Sequence, residues 1–66
     1  MTPYQQRQRL ERLIIARAGL DYAISCVIDL RAVAQTPDER ARFVAIYKQL
    51  TALHTEIRHT LEGEQP

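Results

Sequence analysis

The chain has 66 residues, of which 45% are hydrophobic and 26% are charged, and its net charge is +1. A domain this small buries little area per residue, so it usually needs a disulfide, a metal or a partner for stability. One cysteine and two histidines exclude an internal disulfide and are too few for a structural zinc site. The balanced charge argues against a histone-like or strongly acidic protein, and the few glycines and prolines disfavour a β-rich fold.

Two short motifs mark the starts of two helices. Residues 2–5 read Thr-Pro-Tyr-Gln, and residues 36–39 read Thr-Pro-Asp-Glu. In each motif the threonine oxygen can cap free amides, proline suits the first helical position, and Gln or Glu can reach back to the cap. The spacing predicts one helix over about residues 3–34 and a second over about residues 37–62.

The connection between these helices is very short. Pro37 prevents the first helix from continuing, because the residue before a proline is driven out of the α region. Gly63 is a natural stop for the second helix, and we expect Glu64-Gln65-Pro66 to fray. A connection of one or two residues forces an antiparallel arrangement. We therefore predict an all-α, single-domain, two-helix hairpin.

The second predicted helix has one apolar stripe. Its members follow the alternating three- and four-residue spacing of one helix face. The stripe consists of Phe43, Ile46, Leu50, Leu53 and Ile57, with Tyr47 and Leu61 beside it. One stripe needs one neighbouring helix, and the first helix can provide it.

The first predicted helix has two adjacent apolar stripes, so one neighbour does not cover it. The first stripe has mostly larger side chains and can face the second helix; it consists of Leu10, Leu13, Leu20, Ile24, Val27, Ile28 and Ala34. The second stripe is rich in small side chains and consists of Ala16, Gly19, Ala23, Cys26, Leu30 and Val33. A helix that is apolar on most sides is buried on more than one side. We expect this second stripe to be the interface of a homodimeric four-helix bundle.

Three arginines lie in the first turns of the first helix. Arg7, Arg9 and Arg12 face the positive end of the helix dipole, which is mildly unfavourable. Acidic residues near the end of the second helix can match them internally. The alternatives are an acidic protein partner or nucleic acid, although a net charge near zero argues against strong phosphate binding.

The remaining face of the first helix carries Ile15, Ala18 and Tyr22. Exposed aromatic and aliphatic side chains inside a charged rim are typical of interfaces. We therefore predict a partner-binding patch around Ile15 and Tyr22, with a basic rim from Arg7, Arg9 and Arg12.

Other polar residues have simpler interpretations. Arg17 and Asp21 are four apart, which favours an ion pair within the helix. His54 and His59 point to different faces, so we interpret them as surface or edge histidines rather than joint metal ligands. Cys26 is interpreted as a small packing residue.

No motif in the chain indicates catalysis or a cofactor. There is no triad spacing, no glycine-rich phosphate loop and no paired carboxylate in an expected cleft. No secretory signal or membrane-spanning run is visible, which together with the single thiol predicts a cytoplasmic protein without a membrane role. We predict a non-enzymatic interaction module, such as an adaptor, co-chaperone or inhibitor. The alternative is a nucleic-acid-binding regulator that uses the N-terminal arginines.

Overall fold

The computed structural model describes residues 1–64, which form two helices in contact with each other. Helix α1 spans Pro3–Ala32 and helix α2 spans Pro37–Glu64. The helices run antiparallel as a rod of about 51 × 15 × 14 Å. The predicted all-α helical hairpin is confirmed. No helix within residues 1–64 combines the length and apolarity needed to cross a bilayer.

Both helices begin at a threonine cap followed by proline. At α1 the exchange is reciprocal: Thr2 Oγ1 accepts from the Gln5 amide at 3.1 Å, and Gln5 Oε1 accepts from the Thr2 amide at 3.0 Å. At α2, Thr36 Oγ1 accepts from the Glu39 amide at 3.1 Å. The Glu39 carboxylate reaches one residue further back and accepts from the Gln35 amide at 3.3 Å.

The C-terminal ends of the helices differ from the predicted bounds. α1 ends at Ala32 because Val33, at φ −107° and ψ 12°, makes a tightened turn in which its amide reaches the Asp29 and Leu30 carbonyls. α2 continues past Gly63, which has no positive φ, to Glu64. Glu64 is helical rather than frayed. Gln65 and Pro66, the rest of the predicted frayed end, lie outside the described residues.

The seam between the helices follows a three-and-four spacing on both sides. On α1 it contains Leu10, Leu13, Leu20, Ile24, Val27 and, just beyond the helix, Ala34, while the exposed Arg17 and Arg31 take the two remaining positions of the spacing. Ile28, predicted to flank this stripe, is 43% exposed. On α2 it contains Phe43, Tyr47, Leu50, His54, Ile57, Leu61 and Glu64. Only Val27 and Leu61 among the described residues are buried, so the hairpin alone has a thin core.

The predicted α2 stripe is wrong at two positions. Ile46 and Leu53 are 41% and 49% exposed, and the adjacent Tyr47 and His54 face α1 instead. The predicted and the observed stripe share Phe43, Leu50 and Ile57, and both alternate steps of three and four residues. α1 packs on the stripe that contains Leu61, which is 5% exposed, and this leaves two large aliphatic side chains beside the seam.

Candidate functional site: the exposed faces of the hairpin

The seam divides the hairpin into two sides, and both carry exposed apolar side chains. On one side, here called the groove side, charged residues stand beside Ile14 and Ile28, which are 51% and 43% exposed, and a groove runs between α1 and α2. It is lined by Ile14, Arg17, Ala18, Asp21, Arg58, Leu61 and Glu62. Its wall residues Ile14, Asp21 and Arg58 each directly follow a seam residue. Residues that directly precede a seam position therefore lie on the other side of the hairpin.

That other side, here called the apolar side, is made by both helices. It consists of Ala16, Gly19, Ala23, Cys26, Leu30 and Val33 of α1 together with Ile46 and Leu53 of α2. Ala23 and Cys26 are half-buried, whereas Leu30 is 44% and Val33 69% exposed. All six residues predicted for the dimer interface therefore share one side of the hairpin. Sequence reasoning did not assign Ile46 and Leu53 to this side. It would have done so if the stripe of α2 that faces α1 had been predicted to contain Tyr47 and His54.

Gly19 lies in the middle of α1 on the apolar side. A β-carbon built there meets no atom within 4 Å. A glycine inside a helix costs about 1 kcal/mol relative to alanine. Nothing within the hairpin therefore explains this glycine.

The outer face of α1 points away from α2. Tyr22 is 74% exposed and Ile15 is 60% exposed. They are seven residues apart on the same face, which is about 10 Å along the helix. Ala18, predicted for this face, instead lines the groove of the groove side.

A groove at the N-terminal end of α1 joins Ile15 to part of the predicted basic rim. It is lined by Tyr4, Arg7, Gln8, Glu11, Arg12 and Ile15. Arg7 and Arg12 are thus adjacent to two exposed apolar side chains, Tyr4 and Ile15. We call this groove together with Tyr22 the outer patch.

Arg9 lies apart from the outer patch. Its Nε donates to Glu64 Oε1 at 3.0 Å, which links the first turns of α1 to the last turn of α2. The guanidinium therefore meets a carboxylate and the negative end of the α2 dipole together. This contact matches the internal charge compensation considered for the arginines, and within residues 1–64 neither Arg7 nor Arg12 makes such an ion pair.

Asp21 contacts the other helix rather than Arg17. Its Oδ1 lies 2.7 Å from Nε2 of His54, and no ion pair joins Asp21 to Arg17 within residues 1–64. The predicted Arg17–Asp21 pair is therefore absent from the described chain. His54 is a half-buried seam residue with a side chain 20% exposed, so it is an edge histidine rather than a surface one. His59 is exposed.

Potential metal and redox groups are sparse in the described chain. Cys26 is a free, half-buried thiol on the apolar side. No group of three or more His, Cys, Asp or Glu side chains within residues 1–64 is arranged to hold a metal ion. Comparisons with protein-family models, curated proteins and solved structures give no match to this chain.

Proposed function

We propose that this chain is a non-enzymatic protein–protein interaction module, an adaptor, co-chaperone or inhibitor that acts in the cytoplasm as a homodimeric four-helix bundle. The outer patch binds the partner protein, and the apolar side holds the second copy. The observation that carries the proposal is the outer patch: Tyr22 and Ile15 are exposed on a face that no part of the hairpin covers.

The area of the hairpin supports the dimer. Its accessible surface is 5350 Å², whereas a compact monomer of its mass exposes about 4,300 Å². The excess is close to the roughly 800 Å² that each partner buries in a standard interface. The apolar side, with Leu30, Val33, Ile46 and Leu53 exposed together, is the region where that area can be buried.

The composition of the outer patch supports a protein partner. Tyrosine and arginine are the residue types that most often dominate binding energy at protein interfaces. Tyr22 and Ile15 provide apolar anchors, and Arg7 and Arg12 provide charged edges beside Ile15. We expect a partner segment with apolar side chains flanked by carboxylates.

Nucleic acid is the second candidate, because Arg7 and Arg12 are exposed on each copy. Arg7 and Arg12 of each chain supply few phosphate contacts, and the net charge is only +1. Binding of this kind weakens steeply with added salt, whereas protein binding through an aromatic anchor does not.

The test is affinity capture from the native cell, with and without nuclease treatment of the lysate, comparing wild type, Tyr22→Ala and His59→Ala. We expect at least one protein to be retained by wild type and His59→Ala and lost with Tyr22→Ala. Truncation of a tyrosine anchor weakens binding by more than about 1 kcal/mol. His59→Ala is the matched control, because it removes an exposed ring from α2.

Two further measurements keep the result interpretable. Circular dichroism of Tyr22→Ala must show unchanged helicity, since unfolding would mean that the outer face is part of a core. Neutralising Arg7 and Arg12 together should mainly slow association with the captured protein. If nuclease abolishes all retention and only the arginine changes matter, the nucleic-acid function replaces this one.

A further inference from the structure

The apolar side of α1 has an internal symmetry. Its six residues form three pairs centred on one point, midway between Ile24 and Ser25. The pairs are Ala16 with Val33, Gly19 with Leu30, and Ala23 with Cys26. The two outer pairs each combine a small side chain with a large one, and the central pair combines two small ones. A second α1 running in the opposite direction about this point would meet large side chains with small ones at the two outer pairs and small with small at the centre.

The apolar side of α2 has the same centre. Ile46 and Leu53 lie symmetrically about the point between Gln49 and Leu50. The Arg9–Glu64 and Asp21–His54 contacts show which residues of α1 and α2 are level with each other. Continuing that register brings the centre of the α2 pair level with the centre of the α1 pairs. One twofold axis therefore relates the apolar residues of both helices.

Charged residues beside the apolar side obey the same symmetry. Arg42 and Glu56 lie on the edge of α2 next to Ile46 and Leu53, at nearly equal distances from the shared centre. Along one helix they are about 21 Å apart, too far to pair within a single copy. A second α2 related by the axis would bring Arg42 of each copy beside Glu56 of the other.

We propose that the second copy packs on the apolar side in antiparallel orientation, α1 on α1 and α2 on α2, about a twofold axis perpendicular to the helices between Ala23 and Cys26. This inference rests on the proposed homodimer and specifies its geometry. The parallel alternative, with the axis along the bundle, packs α1 on α2 of the other copy. That arrangement sets the exposed Val33 against Arg42, an apolar side chain against a cation.

The position of the axis has a consequence for the outer patch. The axis lies nearer the turn than the N-terminal end of the rod, so the first three turns of α1 extend beyond the second copy. Tyr4, Arg7 and Arg12 stay uncovered on both ends of the dimer. The self-association surface and the proposed partner surface are therefore separate.

The test is the distance between two spin labels attached at Gln8, measured by pulsed electron paramagnetic resonance in the Gln8→Cys, Cys26→Ala variant. The antiparallel dimer predicts about 50 Å between the two labels along the bundle, whereas a parallel dimer predicts about 20 Å. A label at Ser25 is the matched control, because it lies next to the axis level and is expected at about 20–25 Å in both arrangements.

Charge reversal is an independent measurement that needs no label. Arg42→Glu and Glu56→Arg should each raise the dimer dissociation constant about tenfold, because each breaks two symmetry-related pairs. The double reversal should restore the wild-type value. Labels about 50 Å apart with restored affinity support the inference. A dimer with Gln8 labels about 20 Å apart, or without rescue, overturns the antiparallel geometry and leaves the homodimer standing. A monomer at millimolar concentration overturns both.

Discussion

Asp21 of α1 and His54 of α2 are in contact across the hairpin, with 2.7 Å between the carboxylate Oδ1 and the imidazole Nε2. The two side chains differ in solvent exposure: that of Asp21 is 59% exposed and that of His54 only 20%. Although the distance suits a hydrogen bond, Nε2 is buried and has no correctly oriented partner. The two atoms are close but not in hydrogen-bonding orientation, so the contact only partly compensates for burying the ring nitrogen.

Replacing His54 with leucine should stabilise the hairpin. A buried polar atom without a well-formed hydrogen bond costs about 1–3 kcal/mol, and leucine suits a seam position of this spacing. We expect the free energy of unfolding of His54→Leu to rise by about 1 kcal/mol in urea denaturation. His59→Leu is the control and should change it little, because His59 is exposed. A loss of stability in His54→Leu would mean that the contact with Asp21 outweighs the burial cost.

The Arg9–Glu64 ion pair should contribute little to stability. Its side chains are 46% and 21% exposed, so solvent and salt screen the attraction. A double-mutant cycle of Arg9→Ala and Glu64→Ala should give a coupling below about 1 kcal/mol that falls as salt is added. The same cycle with Arg7 in place of Arg9 should give none. Coupling well above this value, insensitive to salt, would contradict a screened surface pair.

The threonine caps should matter unequally. Thr36→Ala should cost about 1 kcal/mol, because its hydroxyl accepts from the Glu39 amide at a turn that fixes the register of both helices. Thr2→Ala should cost less, because residues 1–8 are exposed and a lost cap there frays a turn with little packing to lose. Thr55→Ala is the control: its hydroxyl donates to the Thr51 carbonyl inside α2, so the change should be near neutral. Thermal unfolding followed by circular dichroism measures all three.

Gly19→Leu should break the dimer while leaving the hairpin helical. No atom of α2 lies within 4 Å of the added β-carbon, so we expect the larger side chain to clash with a second copy. Overpacking costs about 1–3 kcal/mol per site, and a twofold interface contains the site twice. Wild type should sediment near twice 7.6 kDa at micromolar concentration, and Gly19→Leu near the monomer mass. Gly63→Leu is the matched control, because Gly63 is equally open but lies beyond the proposed contact.

If Gly19→Leu sediments as wild type does, the apolar side is not the subunit interface. Should both glycine variants lose helicity, the cause is an effect on the helices themselves. Gly19→Ala separates these cases, because it relieves the helix cost of glycine while adding only one carbon atom.

Local sequence was sufficient to predict the two helices and their antiparallel order. Thr2-Pro3 and Thr36-Pro37 act within a single turn, and a connection too short for any other path fixes the direction of α2. Local sequence also predicts that the six α1 residues proposed for the dimer interface lie on one side of the helix, because helical spacing decides this without reference to α2. The outer positions of Ile15 and Tyr22 come from the same rule.

Which stripe of α2 faces α1 was decided only by the tertiary structure. Periodicity allows either Ile46 and Leu53 or Tyr47 and His54 beside Leu50, because the two choices differ by one residue and both repeat every seven. The relative rotation of the helices selects between them, and the selection that buries Leu61 exposes Ile46 and Leu53. The partners of Asp21 and Arg9 depend on the same rotation and on the register, which come from packing between residues far apart in the chain.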